Sequence, residues 1–419
     1  MTRRLDRAGP AALLARPSVR AALAALDMPG EESRLVGGCV RDALLGVAAA
    51  DIDLATTHLP EAVLRAGLAA GLKAVPTGIE HGTITLVSGG EPIEVTTLRE
   101  DVETDGRHAV VRFGRDFSRD AERRDFTINA LSLGPDGTLH DTVGGVADLE
   151  ARRVRFIGDA ATRIREDALR ILRFFRFHAR FGLDGAPDPD ALAACIAARN
   201  TLDGLSKERV RSEFMKLLLA EHGVSVVGLL SATGLLQRIT GGVGEVGRLA
   251  RSARAGQDAA WRLASLAVHA EPDAERLQER LRLSKAEAAT LGAYARALAA
   301  LHGRDGIERA QARALAAQHG ATTLEHTLAV LAGEPRPALT PEASGEIVRL
   351  CARGSDPLFP LVGADLVREG IPPGRAIGQG LARARAEWLA AGCPEDEASR
   401  AALLETATAV ARATAGGHT

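Results

Sequence analysis

The chain has 419 residues, enough for roughly two to four domains, and 46% of them are apolar, which excludes global disorder. With 52 Lys plus Arg against 54 Asp plus Glu the net charge is −2, which excludes a uniformly basic nucleic-acid coat but not a local basic groove. No apolar run approaches the roughly 20 residues that cross a bilayer, and Cys39, Cys195, Cys351 and Cys393 are too scattered for a disulfide framework or zinc module.

Residues 11–26 read as a short Ala/Leu helix, interrupted by Arg16, Pro17 and Arg20, which suits no secretory signal and leaves the reducing cytoplasm as the expected compartment. Arg34-Leu35-Val36 predicts a strand that Gly37-Gly38 breaks, and Val40 to Leu45 one or two helical turns. Asp51-Ile52-Asp53-Leu54 alternates as a strand does. A helix follows from Pro60 to about Ala70, with proline in the first turn where its missing N–H costs nothing. Thr83 to Val87 and Ile93 to Thr97 are β-branched runs around Ser88-Gly89-Gly90-Glu91-Pro92, the pattern of a hairpin. Residues 99–121 are charged and aperiodic and predict a mobile loop. Ile128 to Leu133 and Thr138-Leu139 can complete a mixed sheet.

Beyond residue 150 the strand signals fade. Ile164 to Phe181 predicts one strong helix, and Ser206 to Ala220 another, with Val210, Phe214, Leu217 and Leu218 on one face. Short helices and Gly/Pro turns follow, with Pro335 to Pro341 as the clearest linker. The fold class is therefore α+β: a mixed-sheet head over about 150 residues, then an all-helical remainder. Nine of the ten phenylalanines fall between Phe113 and Phe214, which predicts a differently built core there. Of the 52 basic residues 48 are Arg, a compositional bias that leaves no single Arg informative by itself. From Arg107 to Arg180, however, 15 Arg stand against 11 acidic residues, a basic strip suited to phosphate contact.

Four constellations carry possible chemistry. In a strand Asp51 and Asp53 share a face, and two such carboxylates repel unless a hard cation such as Mg²⁺ sits between them. Gly37-Gly38 lets backbone N–H groups approach an anion at a helix start, and Arg41 adds a charge-assisted phosphate contact. Glu94, on the second hairpin strand, is either a third carboxylate of a two-metal site or an exposed partner of Arg99. In Arg123 to Ala130, Arg123 and Arg124 suit triphosphate oxygens, while Asp125 and Asn129, four apart, suit a ribose hydroxyl; a charged first turn of an ordinary helix fits equally. Within Arg165 to Arg173, Glu166 with Arg170, and Glu166 or Asp167 with Arg173, can form plain surface ion pairs. Alternatively Asp167 and Arg170 read a base together. A carboxylate only accepts and a guanidinium only donates, which matches the amino group and ring nitrogen of C and A and mismatches G and U.

Taken together these stretches resemble the bacterial class II tRNA nucleotidyltransferases, the CCA-adding enzymes of the polymerase β-like superfamily. Gly37 to Asp42 with Asp51-Ile52-Asp53 resembles their metal-carrying motif A, and Arg123 to Ala130 the ribose-recognising motif B. Asp141-Thr142-Val143-Gly144-Gly145 with Asp148-Leu149 resembles the hinge motif C. Glu166 to Arg170 resembles the base-reading motif D, and Leu205 to Val210 the structural motif E. Gly363-Ala364-Asp365-Leu366 with Gly370 to Gly374 resembles the tail element more weakly; its glycine turns are either phosphate sites or a plain helical joint. No metal-type His-Asp dyad follows residue 220, so a phosphohydrolase domain is not expected, and 221–340 matches little of the family pattern.

The resemblance implies a polymerase β-like nucleotidyltransferase head (1–150), a helical neck binding base and RNA (151–220), a body (221–340) and a tail binding the tRNA elbow (341–419). It implies Mg²⁺ held by Asp51 and Asp53, with Glu94 joining them in catalysis. Gly37, Gly38, Arg41, Arg124, Asp125, Asn129, Asp167, Arg170 and Arg173 would bind the nucleotide. The reaction implied is addition of C, C and A from CTP and ATP to a tRNA acceptor end, with pyrophosphate released. No membrane and no protein partner is expected. Asp105-Gly106-Arg107-His108-Ala109 corresponds to a mobile loop needed for the switch to A, and its presence favours complete over partial addition. A poly(A) polymerase is the nearest alternative, and the chain lacks a basic C-terminal extension of that kind. A non-catalytic RNA-binding relative is disfavoured because both Asp51 and Asp53 are present, and a dinucleotide-binding protein because no GxGxxG follows the first strand.

Overall fold

The computed structural model describes residues 5–49, 51–104, 109–182 and 185–416, with side chains described outside 100–111 and 416. The chain divides into two compact units, Met1–Arg238 and Ile239–Thr419.

The first unit begins with two helices, α1 (Gly9–Leu14) and α2 (Pro17–Ala25), not the single helix expected. Arg16 is extended and Pro17 opens α2, because a proline cannot donate the interior hydrogen bond of a continuous helix. Then come β1 (Ser33–Val36), α3 (Gly38–Leu44), β2 (Ile52–Thr56), α4 (Pro60–Ala69), β3 (Lys73–Gly78), β4 (Thr83–Ser88) and β5 (Glu91–Thr97). The expected hairpin is β4–β5, and β2 lies parallel to β5. With β8 (Ser132–Leu133) and β9 (Leu139–His140) they form one mixed sheet in the order β3-β4-β5-β2-β1-β8-β9. Strand β3 escaped sequence reading because it holds Pro76 and Gly78. It lies at the sheet edge, where a missing N–H is tolerated, and its register with β4 shifts between Val75 and Gly78.

The segment expected to be a loop over 99–121 instead contains β6 (Arg99–Thr104), β7 (Ala109–Phe113) and α5 (Phe117–Glu122). The two strands pair antiparallel as their own ribbon. A ribbon outside the main sheet need not show the alternation that a buried face imposes. Arg107 and His108 lie outside the described residues.

The helices that follow are α6 (Gly145–Glu150), α7 (Ala160–Glu166), α8 (Leu169–Phe181), α9 (Pro189–Ala197), α10 (Lys207–Leu219) and α11 (Gly223–Ala232). The expected helix 164–181 is thus broken. Asp167 is extended, and its Oδ1 accepts the Leu169 N–H at 3.0 Å, the local bond by which aspartate competes with helix. Helix α8 packs on α10 and α11. The phenylalanine-rich core is real: Phe126, Phe156 and Phe174 are wholly buried, with centroids 4.7 Å apart for Phe126–Phe156 and 5.9 Å for Phe156–Phe174.

The second unit is helical among its described residues. The Pro335 to Pro341 segment lies inside it and is not a free linker: Ile307 N–H donates to Ala338 O at 2.9 Å, and Thr340 N–H to Ile307 O at 3.0 Å. Glu346 is 2% exposed and accepts from Arg309 (2.9 Å) and Arg313 (2.7 Å), tying helix Arg309–His319 to helix Pro341–Arg353. Replacing Glu346 by Ala is expected to cost about 1–3 kcal/mol, since Arg309 and Arg313 lose a buried charged acceptor while Arg313 keeps Glu395 and the Gly392 and Cys393 carbonyls. The carboxyls of Glu346 and Glu334 both sit below their ordinary value of 4.5. For Glu346 burial acts upward but is outweighed by hydrogen bonds from Arg313 and Arg309; for Glu334 the Arg248 hydrogen bond is the leading cause. Their stabilisation is therefore complete above pH 4.5 and lost as pH falls through the lower folded values. Melting followed from pH 7 down to pH 3 checks this, and in Glu346→Ala the acid loss should be smaller.

No helix of the described residues is long and apolar enough to cross a membrane. All four cysteines are free thiols.

Candidate active site

Strand β1 ends at Gly37, whose φ of +74° is the left-handed conformation that a side chain resists. A Cβ there would lie 2.9 Å from Arg124 Nη1, so the glycine also makes room for that guanidinium. Helix α3 begins at Gly38, immediately beyond.

On the neighbouring strand, β2, Ile52 and Leu54 point into the core and Asp53 is half-buried on the other face. Asp51 lies just before the strand, on an exposed bend, so strict strand geometry does not extend to it as the sequence suggested. Glu94 is the register partner of Asp53 across the parallel β2–β5 pair. Burial pushes the Asp53 carboxyl above its ordinary value, Glu94 and Asp51 push it further, and Arg124 opposes them. Acidic oxygens held together against their repulsion fit a hard divalent cation. Among the described residues no three His, Cys, Asp or Glu side chains already form a metal-sized cluster.

Asp51 and Asp53 open on a cleft of about 630 Å³. All nine residues expected to bind nucleotide line it: Gly37, Gly38 and Arg41 from the β1–α3 turn, Arg124, Asp125 and Asn129 after α5, and Asp167, Arg170 and Arg173 from the α7–α8 break and α8. Glu94 does not reach this cleft. It lines an adjoining hollow of about 300 Å³ that shares Asp53, Arg123 and Arg124 with the cleft.

Hydrogen bonds refine the expected roles. The segment Arg123 to Ala130 is not the start of a helix: α5 ends at Glu122, Phe126 is extended, and one 3-10 turn spans Thr127–Asn129. That turn brings Asn129 Nδ2 to donate to Asp125 Oδ1 at 3.1 Å, while Arg173 Nε donates to Asp125 Oδ2 at 2.6 Å. Arg41 is 4% exposed, donates to Asn129 Oδ1 and Asp42 Oδ1, and lies 4.4 Å from the Phe181 ring centroid. It is a braced cation in the cleft wall. Of the expected surface ion pairs only Arg170–Glu166 forms. Arg173 goes to Asp125, and Asp167 Oδ2 accepts from Arg209 at 2.7 Å. Asp167 and Arg170 therefore face one cleft, each steadied by a different neighbour.

Sequence reading missed Arg176, Phe177, Arg180, Arg209 and Lys216, which line the same cleft as Arg123, a residue it had paired with Arg124 for phosphate contact. The signal was present in α8: Arg170, Arg173, Arg176 and Arg180 recur at helical spacing along one side, with the Phe177 and Phe181 rings packed against the last three. Each is backed by a carboxylate from another part of the chain, Glu166, Asp125, Glu213 and Asp42 respectively. This arrangement holds permanent positive charge at fixed positions along one wall, which suits a polyphosphate.

Residues 33–155 match a family model described as the poly A polymerase head domain, and residues 186–240 one described as the probable RNA and SrmB-binding site of polymerase A. The chain is 36% identical to the mitochondrial CCA tRNA nucleotidyltransferase 1 of Danio rerio over 85% of this chain and 83% of that one. Identity to the Homo sapiens counterpart is 35%, over 86% and 83%. A CCA-adding enzyme of Leuconostoc citreum is 39% identical over 52% of this chain and 53% of its own length. Among solved structures, the Bacillus stearothermophilus CCA-adding enzyme in complex with CTP superposes with a TM-score of 0.71 at 29% identity, covering 93% of this chain and 98% of that one.

Proposed function

The chain belongs to the family of CCA-adding tRNA nucleotidyltransferases, and from that premise we propose that it adds CCA to the 3′ end of tRNA from CTP and ATP, without a nucleic-acid template, releasing pyrophosphate. The observation that carries this reading is the single cleft that gathers the Asp51 and Asp53 carboxylates, the glycine turn, the arginine wall of α8 and the Asp167–Arg170 pair, which sequence separates by more than a hundred residues. Chance does not assemble those chemistries on one surface.

The 3′-hydroxyl of the RNA loses its proton to solvent and its oxygen bonds to the α-phosphorus of the nucleotide, as the bond to the bridging oxygen of the β-phosphate breaks and pyrophosphate leaves. The triphosphate lies along Gly37, Gly38, Arg124, Arg173 and Arg176, whose N–H groups meet the charge that accumulates on the departing pyrophosphate. Asp125 and Asn129 face the ribose. Asp167 accepts the exocyclic amino group of C or A and Arg170 donates to the ring nitrogen beside it, so U and G leave both groups mispaired. Family membership implies a divalent metal; we assign Mg²⁺ to Asp51 and Asp53, where it would supply charge neutralisation at the reacting phosphate. Glu94, beside Asp53 in register, shapes the same centre from the adjoining hollow.

The tRNA acceptor arm reaches the head and neck, and we assign the elbow to the tail, 341–419, with the head at 1–150, the neck at 151–220 and the body at 221–340. Elbow recognition by shape suits A-form RNA, whose deep groove hides its bases. Arg107 and His108 are assigned to the loop that permits the switch from C to A. Four free thiols suit a reducing compartment, and we place the protein in the cytoplasm.

The test supplies purified protein, Mg²⁺, CTP and ATP to a tRNA lacking its 3′ end, followed by sequencing of the product ends. Products ending at CCA are expected. A run of A would make the protein a poly(A) polymerase, and a stop at CC or an A added only after CC would make it a partial enzyme.

A further inference from the structure

Arg123 and Arg124 are consecutive, and both line the cleft and the adjoining hollow, as Asp53 does. Two long cations this close to a cluster of acidic oxygens have an easy alternative. Each can swing onto Asp53 or Glu94 and form an ordinary ion pair, which would fill the positions a metal or a phosphate needs. Arg124 is already near enough to lower the affinity of Asp53 for a proton.

One residue prevents this collapse. Asp120, on α5, is 4% exposed and accepts from both arginines at once. Its Oδ1 takes Arg123 Nε at 2.9 Å and also Arg123 Nη2; its Oδ2 takes Arg124 Nε at 3.3 Å and Nη2 at 3.2 Å. Arg124 Nη1 is then directed to Asn129 O at 3.3 Å, across the turn from Gly37. The edges of both guanidiniums nearest α5 are occupied by Asp120. We propose that Asp120 is a positioning residue for nucleotidyl transfer: it holds Arg124 off the Asp53 carboxylate and presents it to the nucleotide triphosphate, with Arg123 tied back to Asp120 as well.

This rests on the transferase reading above, and the test separates the two. Asp120→Asn keeps the shape and removes the charge. The kcat/KM for CTP should fall about 30-fold, the loss expected when charge-assisted bonds that fix a phosphate-binding group are removed, with the KM for tRNA within about twofold. The Mg²⁺ concentration for half-maximal rate should rise, because the released arginines compete for Asp53. CTP affinity measured by calorimetry without added metal should fall about tenfold. In an Arg124→Ala background Asp120→Asn should cost less than about threefold further, since the residue it acts through is gone. Asp120→Glu, which retains the charge, should recover most of the loss. Should Asp120→Asn cost the same factor in both backgrounds, or lower only the melting temperature while the Mg²⁺ requirement and metal-free CTP affinity stay put, the carboxylate merely supports α5 and the proposal is overturned. Wild-type protein that binds CTP yet transfers no nucleotide would instead overturn the transferase reading, whatever Asp120 does.

Discussion

Asp53→Asn will reduce addition of both C and A by about a thousandfold or more, the scale expected when charge stabilisation at a transferring phosphoryl group is lost. The substitution is nearly isosteric, so the loss will not come from unfolding. Asp53 is half-buried, carries its charge against desolvation, and faces the repulsion of Glu94 and Asp51. Asparagine removes that repulsion, and the metal-free variant should melt at or above the temperature of the parent. Added Mg²⁺ should raise the melting temperature of the parent more than that of the variant, because only a filled folded-state site stabilises by mass action. Rates near those of the parent would remove Asp53 from the chemistry. A marked drop in melting temperature would show that the side chain serves the β2–β5 pair instead.

Asp167→Ala is expected to change which base is chosen more than whether transfer occurs. The kcat/KM for CTP and ATP should fall about 10- to 100-fold, while UTP and GTP lose little, so that discrimination shrinks by about one to two orders of magnitude. The reason lies in the two oxygens of this carboxylate. Oδ1 accepts the Leu169 N–H and Oδ2 accepts from Arg209, which fixes the plane of the group and still leaves each oxygen a lone pair for an amino donor. Removing it leaves Arg170 alone to judge the base, and a lone donor cannot distinguish the order of donor and acceptor. The measurement is competition among the four nucleotides on a tRNA ending one residue short. Unchanged preference for C and A would end the base-reading role of Asp167.

Much of this site was legible before any coordinates because its parts are local. Gly37-Gly38, Asp51-Ile52-Asp53 and the Glu166 to Arg170 run are short strings whose spacing already constrains what they can bind. The β4–β5 hairpin and the core face of α10 were legible for a similar reason: alternation and helical periodicity are imposed by burial within a few residues. Edge strand β3 was not, since an exposed edge tolerates the proline and glycine that usually argue against a strand. The break at Asp167 was not, because the apolar period continues across it while a side-chain bond to Leu169 N–H ends one helix and starts another.

The amino-acid sequence alone determined the α+β order of head and helical remainder, the identity of the acidic and glycine-rich motifs, and the candidate nucleotide-binding set. The first two follow from local periodicity and from the chemistry of single side chains, and the last from the resemblance that the motifs carry. Only the tertiary structure decided which partner each charge takes. Arg173 meets Asp125 from 48 positions away, Arg41 turns inward to Asn129 across 88, and Arg180 reaches Asp42 across 138. Charge pairing depends on distance in space and on exclusion of water, and no count of residues along the chain contains either.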